Sequence, residues 1–163
     1  MGRRPTKAAD NPFCRARMSA AQYNERLFSK EGAAELLGVS VSTLSDYELG
    51  ITKTIPPDMV LKMADLYNAP ELRNYYCTEM CPLGECVAKA DVANLDRITI
   101  MAMASFEKMD ETKQQLLKIV ADGVVSEDEK SEMLAVVRNL GELEGIAQNL
   151  KNWVKKNMQE DPL

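Results

Sequence analysis

The stretch of residues 29–50, S-K-E-G-A-A-E-L-L-G-V-S-V-S-T-L-S-D-Y-E-L-G, decides the fold of this chain. Its pattern predicts two short helices joined by a tight turn. Ser29 and Ser40 are suited to cap the starts of these helices, because a serine side chain accepts a hydrogen bond from a backbone N–H of the first turn. Gly38 and Gly50 are suited to end them, since glycine adopts the left-handed backbone conformation at little steric cost.

The apolar residues of this stretch recur at helical spacing. They are Ala33, Leu36 and Leu37 in the first helix and Val41, Leu44 and Tyr47 in the second. The small side chains of Ala33 and Ala34 would let the two helices cross closely. Two helices joined in this way are typical of a helix-turn-helix, whose second helix lies in the major groove of DNA.

With the segment I-P-P-D-M-V-L-K-M-A-D-L-Y that follows at residues 55–67, the stretch resembles the phage-repressor-like (Xre or Cro/C1-type) helix-turn-helix domains. The resemblance rests on Ala34 and Gly38 at their expected separation, and on the ending Y-E-x-G at residues 47–50. Leu44 also matches the family pattern in the second helix. The resemblance covers roughly residues 12–68, and it implies a compact five-helix domain that binds DNA.

The resemblance also implies which residues face DNA. Base edges would be read by Val41, Ser42, Ser45 and Asp46. Phosphates would be held by Lys30 and Ser40. As basic side chains of the same domain, Arg15, Arg17 and Lys53 are further candidates for phosphate contacts. The reading residues include no Arg, Lys, Asn or Gln, the side chains that pair bidentately with guanine or adenine. Specificity is therefore expected to be modest, or to depend on dimerisation, on DNA shape or on a basic N-terminal arm.

The remaining helices of this domain follow from their own start signals. A first helix is predicted over residues 12–27, with Asn11 as its N-cap and a proline in its first position. Its arginines are expected on the side away from the core, either as phosphate contacts or as ordinary solvated side chains. Further helices are predicted over residues 57–67 and 70–76, which completes a helix-turn-helix domain at residues 12–76.

The net charge of −5 is unusual for a DNA-binding chain, since phosphate binding depends largely on positive charge. Residues 1–76 carry ten Lys or Arg and nine Asp or Glu, whereas residues 91–163 carry nine and fourteen. The acidic side chains are therefore concentrated in the C-terminal part. Residues 1–11 are basic and polar, which predicts a flexible arm that either reaches DNA or is a frayed terminus.

The sequence contains no histidine and no glycine-rich phosphate loop. It therefore lacks the commonest general base and any Ser-His or Cys-His nucleophile, which predicts a protein that is not an enzyme. No apolar run approaches the ~20 residues that span a membrane, and the N-terminus lacks the apolar core of a secretory signal. We expect a cytoplasmic protein with no membrane partner.

Residues 77–91 are predicted to be a linker, and they contain Cys77, Cys81 and Cys86. Structural free thiols and no cofactor are the first interpretation. Together with Cys14, the three thiols could instead bind zinc or an iron–sulfur cluster, although their spacing is not the C-x-x-C of common zinc modules. A redox-sensitive pair is a third interpretation.

Residues 92–158 predict a long antiparallel helical hairpin with coiled-coil character. One helix is predicted over residues 92–121, and Ser126 with Glu129 predicts a capping box for a second helix that reaches residue 157. The seam of the second helix would consist of Met133, Val136, Leu140, Leu143, Ala147, Leu150 and Val154. Because such a hairpin leaves apolar surface exposed, pairing with a second copy is favoured over folding back onto the N-terminal domain.

The sequence as a whole predicts an all-α protein with a five-helix repressor-like domain followed by the hairpin. The function predicted from this arrangement is a sequence-specific transcriptional regulator, which binds a double-stranded DNA operator as a homodimer. The alternative is a protein-interaction module that keeps the fold but has lost DNA binding. The uncharged second helix, the carboxylate of Asp46 and the acidic composition favour that alternative.

Overall fold

The computed structural model describes residues 10–84, 87–90 and 93–158, and all regular elements within these ranges are helical. The α-helices are α1 (Pro12–Ala20), α2 (Lys30–Leu37), α3 (Val41–Leu49), α4 (Pro57–Leu66), α5 (Glu71–Tyr75), α6 (Leu95–Glu107), α7 (Met109–Ile119) and α8 (Lys130–Asn157). A 3-10 turn lies at Glu25–Leu27 and a π-helical turn at Tyr76–Met80. The chain divides between Val87 and Ala88 into two compact units, within the segment predicted to be a linker.

Helices α2 and α3 begin and end at the residues that the sequence predicted. Each serine cap accepts a hydrogen bond from the backbone N–H three residues further on, at 2.9 Å for Ser29 and 3.0 Å for Ser40. Gly38 and Gly50 end the helices in the left-handed conformation, with φ of 73° and 68°. The local signals in this stretch therefore determine both helices.

The N-terminal unit has an apolar core to which all of its α-helices contribute. Its largest fully buried apolar side chains are Phe13, Leu27, Leu44, Ile55, Met63 and Leu72. Ala33 and Ala34 are both buried in α2, which packs against α3 and α4. Leu36 was expected on the apolar face of α2 but is 38% exposed. The buried face of α2 is therefore formed mainly by small residues.

The first helix is shorter than predicted. It ends at Ala20 and not at residue 27, because the chain turns where the Ala20 carbonyl accepts the N–H groups of Tyr23 and Asn24. The Asn24 side chain then caps the 3-10 turn. An asparagine cap inside an apolar pattern is a competing start signal, and it interrupts the continuous helix.

In the C-terminal unit, α8 packs along both α6 and α7. Residues later in α7 contact residues earlier in α8. Asn139 donates to Thr112 Oγ1 at 2.9 Å, and Lys118 lies 3.8 Å from the carboxylate of Glu132. α8 is therefore antiparallel to α7. The coiled-coil character and the dimer predicted for this unit stay predictions.

The single helix predicted over residues 92–121 is wrong, because the structure has two helices with a break at Lys108. Thr112 Oγ1 donates to the Lys108 carbonyl oxygen at 2.9 Å, in addition to the backbone bond at 3.0 Å. Such a side-chain bond to the carbonyl four residues back often bends a helix. Thr99 makes the same bond to the Leu95 carbonyl within the unbroken α6, so the Thr112 bond accompanies the break and does not by itself explain it.

Helix α8 differs from its prediction in the side that it buries. The predicted capping box is wrong as the start of this helix, because α8 begins at Lys130 and has no side-chain cap within the described ranges. Only the bond from the Ser126 N–H to the Glu129 carboxylate is present, at 2.9 Å, and it lies in the turn before α8. Of the predicted seam, Leu140 and Leu150 are 46% and 43% exposed, whereas Asn149, which the seam omits, is buried. The inward face is therefore rotated relative to the predicted one. Among the described residues, none of the helices is long and apolar enough to cross a bilayer.

Candidate nucleic-acid interface

Backbone hydrogen bonds hold the turn between α2 and α3. The Val39 N–H donates to the Ala34 carbonyl at 3.0 Å, and the Gly38 N–H donates to the Glu35 carbonyl at 3.2 Å. This pair of bonds is the usual ending of a helix whose last residue is left-handed. Because the turn is short and internally bonded, α3 leaves it in one defined direction.

One side of α3 faces outward. Val41, Ser42, Ser45, Asp46 and Leu49 share this side by helical spacing. Val41 and Leu49 are each 39% exposed, Ser42 is exposed, and the two central residues are half-buried. The structure thus brings the four residues predicted to read bases onto one surface. Their contact with bases stays a prediction.

Lys30 joins α2 to this side of α3. Its Nζ donates to Ser45 Oγ at 2.7 Å and lies 3.7 Å from the Glu48 carboxylate. Because an ammonium group only donates, the Ser45 oxygen is the acceptor in this bond, and its own hydroxyl hydrogen remains able to donate. The Lys30 side chain is 32% exposed, so it also reaches the surface where a phosphate contact was predicted.

The predicted position of Arg17 on the exposed side of the first helix is wrong. Arg17 is 3% exposed and is paired with Glu48, whose side chain is fully buried. The guanidinium donates to both carboxylate oxygens, at 2.5 and 3.1 Å, and to the Leu27 carbonyl at 2.7 Å. These bonds join α1 to α3 and to the 3-10 turn. Since its donors are committed to buried acceptors, Arg17 is not available to a phosphate.

This ion pair affects the pKa values of its own arginine and of two nearby side chains. The hydrogen bond to Glu48 raises the pKa of Arg17, so the guanidinium stays charged. Burial and the nearby Glu48 charge raise the pKa of the Cys14 thiol. The same two causes raise the pKa of Tyr67, whose buried hydroxyl has no hydrogen-bond partner in the described part of the chain. Cys14 and Tyr67 are therefore neutral near pH 7, and the thiol is not an activated nucleophile.

The other residues predicted to hold phosphates lie at the surface. Arg15 is exposed on α1, Ser40 is exposed at the start of α3, and Lys53 is exposed in the connection to α4. Ser40 already accepts the Thr43 N–H as the cap of α3. These exposed positions are compatible with the predicted phosphate contacts, which stay predictions.

The cysteines are not assembled into a recognisable metal site in the described residues. Cys77 lies in the π-helical turn, and the Cys81 N–H donates to the Tyr76 carbonyl at 2.9 Å directly after it. Cys14, Cys77 and Cys81 are free and half-buried. Within the described ranges, no three potential ligands are grouped closely enough to hold a metal ion, and Cys86 lies outside those ranges. The expectation of free thiols without a cofactor and its alternatives, a metal site or a redox-sensitive pair, stay predictions.

The motif predicted from residues 29–50 is thus present. It consists of two helices, a turn that begins at the left-handed Gly38, and an outward side on the second helix. Residues 15–74 match the family model of the helix-turn-helix domain. The match spans α2, α3 and α4 completely, so the helix-turn-helix prediction is confirmed. No curated protein and no solved structure matches the chain. The match does not distinguish between types of helix-turn-helix domain, so the Xre or Cro/C1-type assignment stays a prediction.

Sequence reasoning missed the pairing of Arg17 with Glu48 and the bond from Lys30 to Ser45. Each joins residues that are far apart in the chain, so no local pattern reports them. A signal for the first pairing was nevertheless present. Glu48 follows the core residue Tyr47 on the inner side of α3, and a buried carboxylate requires a cationic partner.

Proposed function

We propose that this protein binds double-stranded DNA through α3 and regulates transcription by occupying an operator, as in the Xre or Cro/C1-type proteins. The observation that carries the proposal is the outward side of α3, where Val41, Ser42, Ser45 and Asp46 lie together inside the matched helix-turn-helix domain. In such domains the second helix enters the major groove and its outward side chains meet the base edges.

Three side chains on this surface can each make a particular contact with a base edge. Ser45, held by Lys30 as an acceptor, has a hydroxyl hydrogen to donate to a purine N7 or a thymine O4. Asp46 can only accept when ionised, which suits the amino group of cytosine, and Val41 suits a thymine methyl. No side chain here forms a bidentate pair, so we expect one domain alone to bind weakly and with little sequence preference.

Dimerisation through the C-terminal unit would double these contacts. The support is a set of large apolar side chains, each between 43% and 69% exposed: Ile100, Met103, Phe106, Leu117, Val120, Leu140 and Leu150. Helical spacing places those on α6 on one side of that helix. Exposed apolar surface of this extent is typical of a protein interface, and the seam residues Leu140 and Leu150 belong to it.

The dimer is tested by the substitution Phe106→Glu in the full-length protein. A carboxylate on the proposed interface should shift the protein toward the monomer, because burying an unpaired charge is unfavourable. Gln114→Glu is the matched control, since it adds the same charge at an exposed position of α7. Size-exclusion chromatography with light scattering measures both. Identical masses for the two variants and the unsubstituted protein would contradict the proposed interface.

The reading role of α3 is tested by selecting bound sequences from random duplex DNA. Ser42→Arg should create a preference for guanine at one position, because arginine pairs bidentately with guanine O6 and N7. Leu61→Arg is the matched control, since it adds the same charge at a 47% exposed position of α4. It should raise affinity at most uniformly. If Ser42→Arg leaves the selected sequences unchanged, α3 is not the reader.

A second candidate function is a protein-interaction module, and one observation favours it. Val41, Leu49 and Ile51 are 39%, 39% and 64% exposed in and just after α3, while α3 contains no Lys or Arg. An apolar surface without positive charge suits a protein partner better than phosphates. Either function would be carried out in the cytoplasm without a catalytic step and without a cofactor.

A further inference from the structure

Two glycines in the middle of α8 open a cleft of about 350 Å³ between α8 and α6. Gly141 and Gly145 are one helical turn apart, and glycine within a helix costs about 1 kcal/mol relative to alanine. A Cβ at Gly141 would meet nothing within 4 Å, so no described residue of this unit requires glycine there. At Gly145, a Cβ would lie 3.1 Å from the Lys89 carbonyl oxygen. The cost at Gly141 therefore has no structural compensation among the residues of the unit that the structure describes.

Asn149 lines the same cleft one turn further along α8. It is only 5% exposed, and its Oδ1 has no hydrogen-bond partner within the part of the chain that the structure describes. A buried polar atom without a partner costs about 1–3 kcal/mol. Ser105 of α6 is also 5% exposed and lines the cleft. Both unfavourable features of α8 are therefore located at one cavity, where a bound molecule could supply the missing partner.

The rest of the lining combines charges with an apolar wall. Lys108 and Glu142 stand at the cleft with 3.4 Å between Nζ and Oε2, and both side chains are about half exposed. Lys89 adds a second ammonium group to the lining. The apolar wall consists of Met101, Ala104 and Ile146. A cavity of this volume, mainly apolar and with a few convergent polar groups, has the character of a small-molecule site.

We propose that this cleft binds a small zwitterion with an apolar side chain, of the amino acid class. The ammonium group of the ligand pairs with Glu142 and, once the Asn149 side chain turns toward the cleft, donates to Asn149 Oδ1, which is closed to solvent in this structure. The ligand carboxylate pairs with Lys108, and the apolar side chain packs against the apolar wall. Each charge on the ligand thus meets the opposite charge in the lining, and the orphan amide oxygen gains a donor.

This site is separate from the outward surface of α3 and, on α6, from the proposed dimer interface. It contains no residue of α3. On α6, Met101 and Ala104 of the cleft lie on the opposite side from Met103 and Phe106 of the proposed dimer interface, since residues two apart differ by about 200° around a helix. On α8, Leu140 and Leu150 of the proposed interface adjoin Gly141 and Asn149 of the cleft, so the dimer state is measured alongside ligand binding for each variant. The site does not depend on DNA binding.

The experiment is isothermal titration calorimetry of the full-length protein with free leucine, methionine and phenylalanine, with free glycine as the probe that lacks a side chain. We expect at least one apolar amino acid to bind at one site per chain with a Kd below about 1 mM. Glycine should bind at least about tenfold more weakly, because it makes no contact with the apolar wall. No saturable binding of any of these probes up to ~10 mM would overturn the proposal.

Two variants separate a ligand site from a merely structural cleft. Asn149→Leu should weaken the binding of the amino acid at least about tenfold, yet leave the urea midpoint of the C-terminal unit unchanged or higher, because the orphan oxygen is gone. Gly141→Leu should fill the cleft and abolish binding, while Gly141→Ala should retain it. If Asn149→Leu lowers stability and leaves binding unchanged, or if Gly141→Leu alters dimerisation and not binding, the proposal is wrong.

Discussion

The ion pair between Arg17 and Glu48 predicts a very unequal response to single and double substitution. Arg17→Met leaves the fully buried Glu48 carboxylate with Lys30, at 3.7 Å, as its one remaining ion-pair partner among the described residues. It also removes the donor that the Leu27 carbonyl accepts at 2.7 Å. Removing one member of a buried pair costs about 3–5 kcal/mol. We expect the upper part of this range, because the Phe28 carbonyl, at 3.2 Å, also loses its Arg17 donor.

The double substitution Arg17→Met, Glu48→Leu removes both charges together. Since apolar replacement of a whole buried pair is often neutral or stabilising, we expect it to restore at least about 2 kcal/mol relative to Arg17→Met alone. The remaining loss comes from the Leu27 and Phe28 carbonyls, which lose their Arg17 donor; a buried unpaired carbonyl costs about 1–3 kcal/mol. Lys30 loses a neighbour, but its partly exposed ammonium can be solvated.

Urea denaturation measures these effects unit by unit. All five tyrosines lie before residue 88 and the single tryptophan is Trp153, so tyrosine and tryptophan emission follow different units. With a slope of about 1–2 kcal/mol per molar urea, Arg17→Met should lower the tyrosine midpoint by roughly 2–4 M. The tryptophan midpoint should not move.

Arg15→Met is the matched control, because it removes an exposed arginine from the same helix. It should change stability by less than about 0.5 kcal/mol. Two results would refute the reasoning. One is a midpoint shift for Arg17→Met as small as that of the control. The other is a double variant whose loss of stability equals the sum of the losses measured for Arg17→Met and for Glu48→Leu alone. The second result would mean that the two side chains act independently.

Three further predictions concern residues with tight or buried surroundings. Gly32→Ala should destabilise the N-terminal unit in urea, because a Cβ would collide with the Arg26 carbonyl oxygen, and an unchanged midpoint would contradict this. Gly141→Ala should instead stabilise the C-terminal unit by about 1 kcal/mol, and a loss of stability would contradict the open space seen there. With the other cysteines replaced by serine, Cys14 should reach half of its maximal iodoacetamide rate above pH 9.0, because burial and the Glu48 charge raise its pKa. Since the folded-state pKa is the higher one, the stabilising effect of the protonated thiol is complete at neutral pH and is lost as pH rises through the raised pKa. A rate that levels off below pH 9.0 would contradict this assignment.

The helix-turn-helix was predictable because its signals are local. Ser29, Gly38, Ser40 and Gly50 each act on the backbone within one helical turn, so their effect does not depend on the rest of the chain. The outward side of α3 followed from the same spacing, and the structure places its four predicted reading residues together. Local capping and periodicity therefore sufficed for this part of the candidate site.

The interior of the domain was not predictable in the same way. Arg17 and Glu48 are 31 residues apart, and a hydropathy pattern assigns every arginine to the surface. Similarly, the apolar pattern does not mark the break at Lys108, and the inward face of α8 includes the polar Asn149. Steps of three and four residues allow more than one apolar face on a long helix, so packing against α6 and α7 decides between them.

The most direct test of the proposed function is retention of the full-length protein on immobilised mixed genomic duplex DNA across a salt series from about 20 to 500 mM. We predict retention at low salt and release as salt rises, because counterions compete for the phosphates. Lys53→Ala should reduce the salt slope by about one, whereas the matched control Lys62→Ala on α4 should leave it unchanged. Passage of the unsubstituted protein without any retention at the lowest salt would contradict DNA binding through α3.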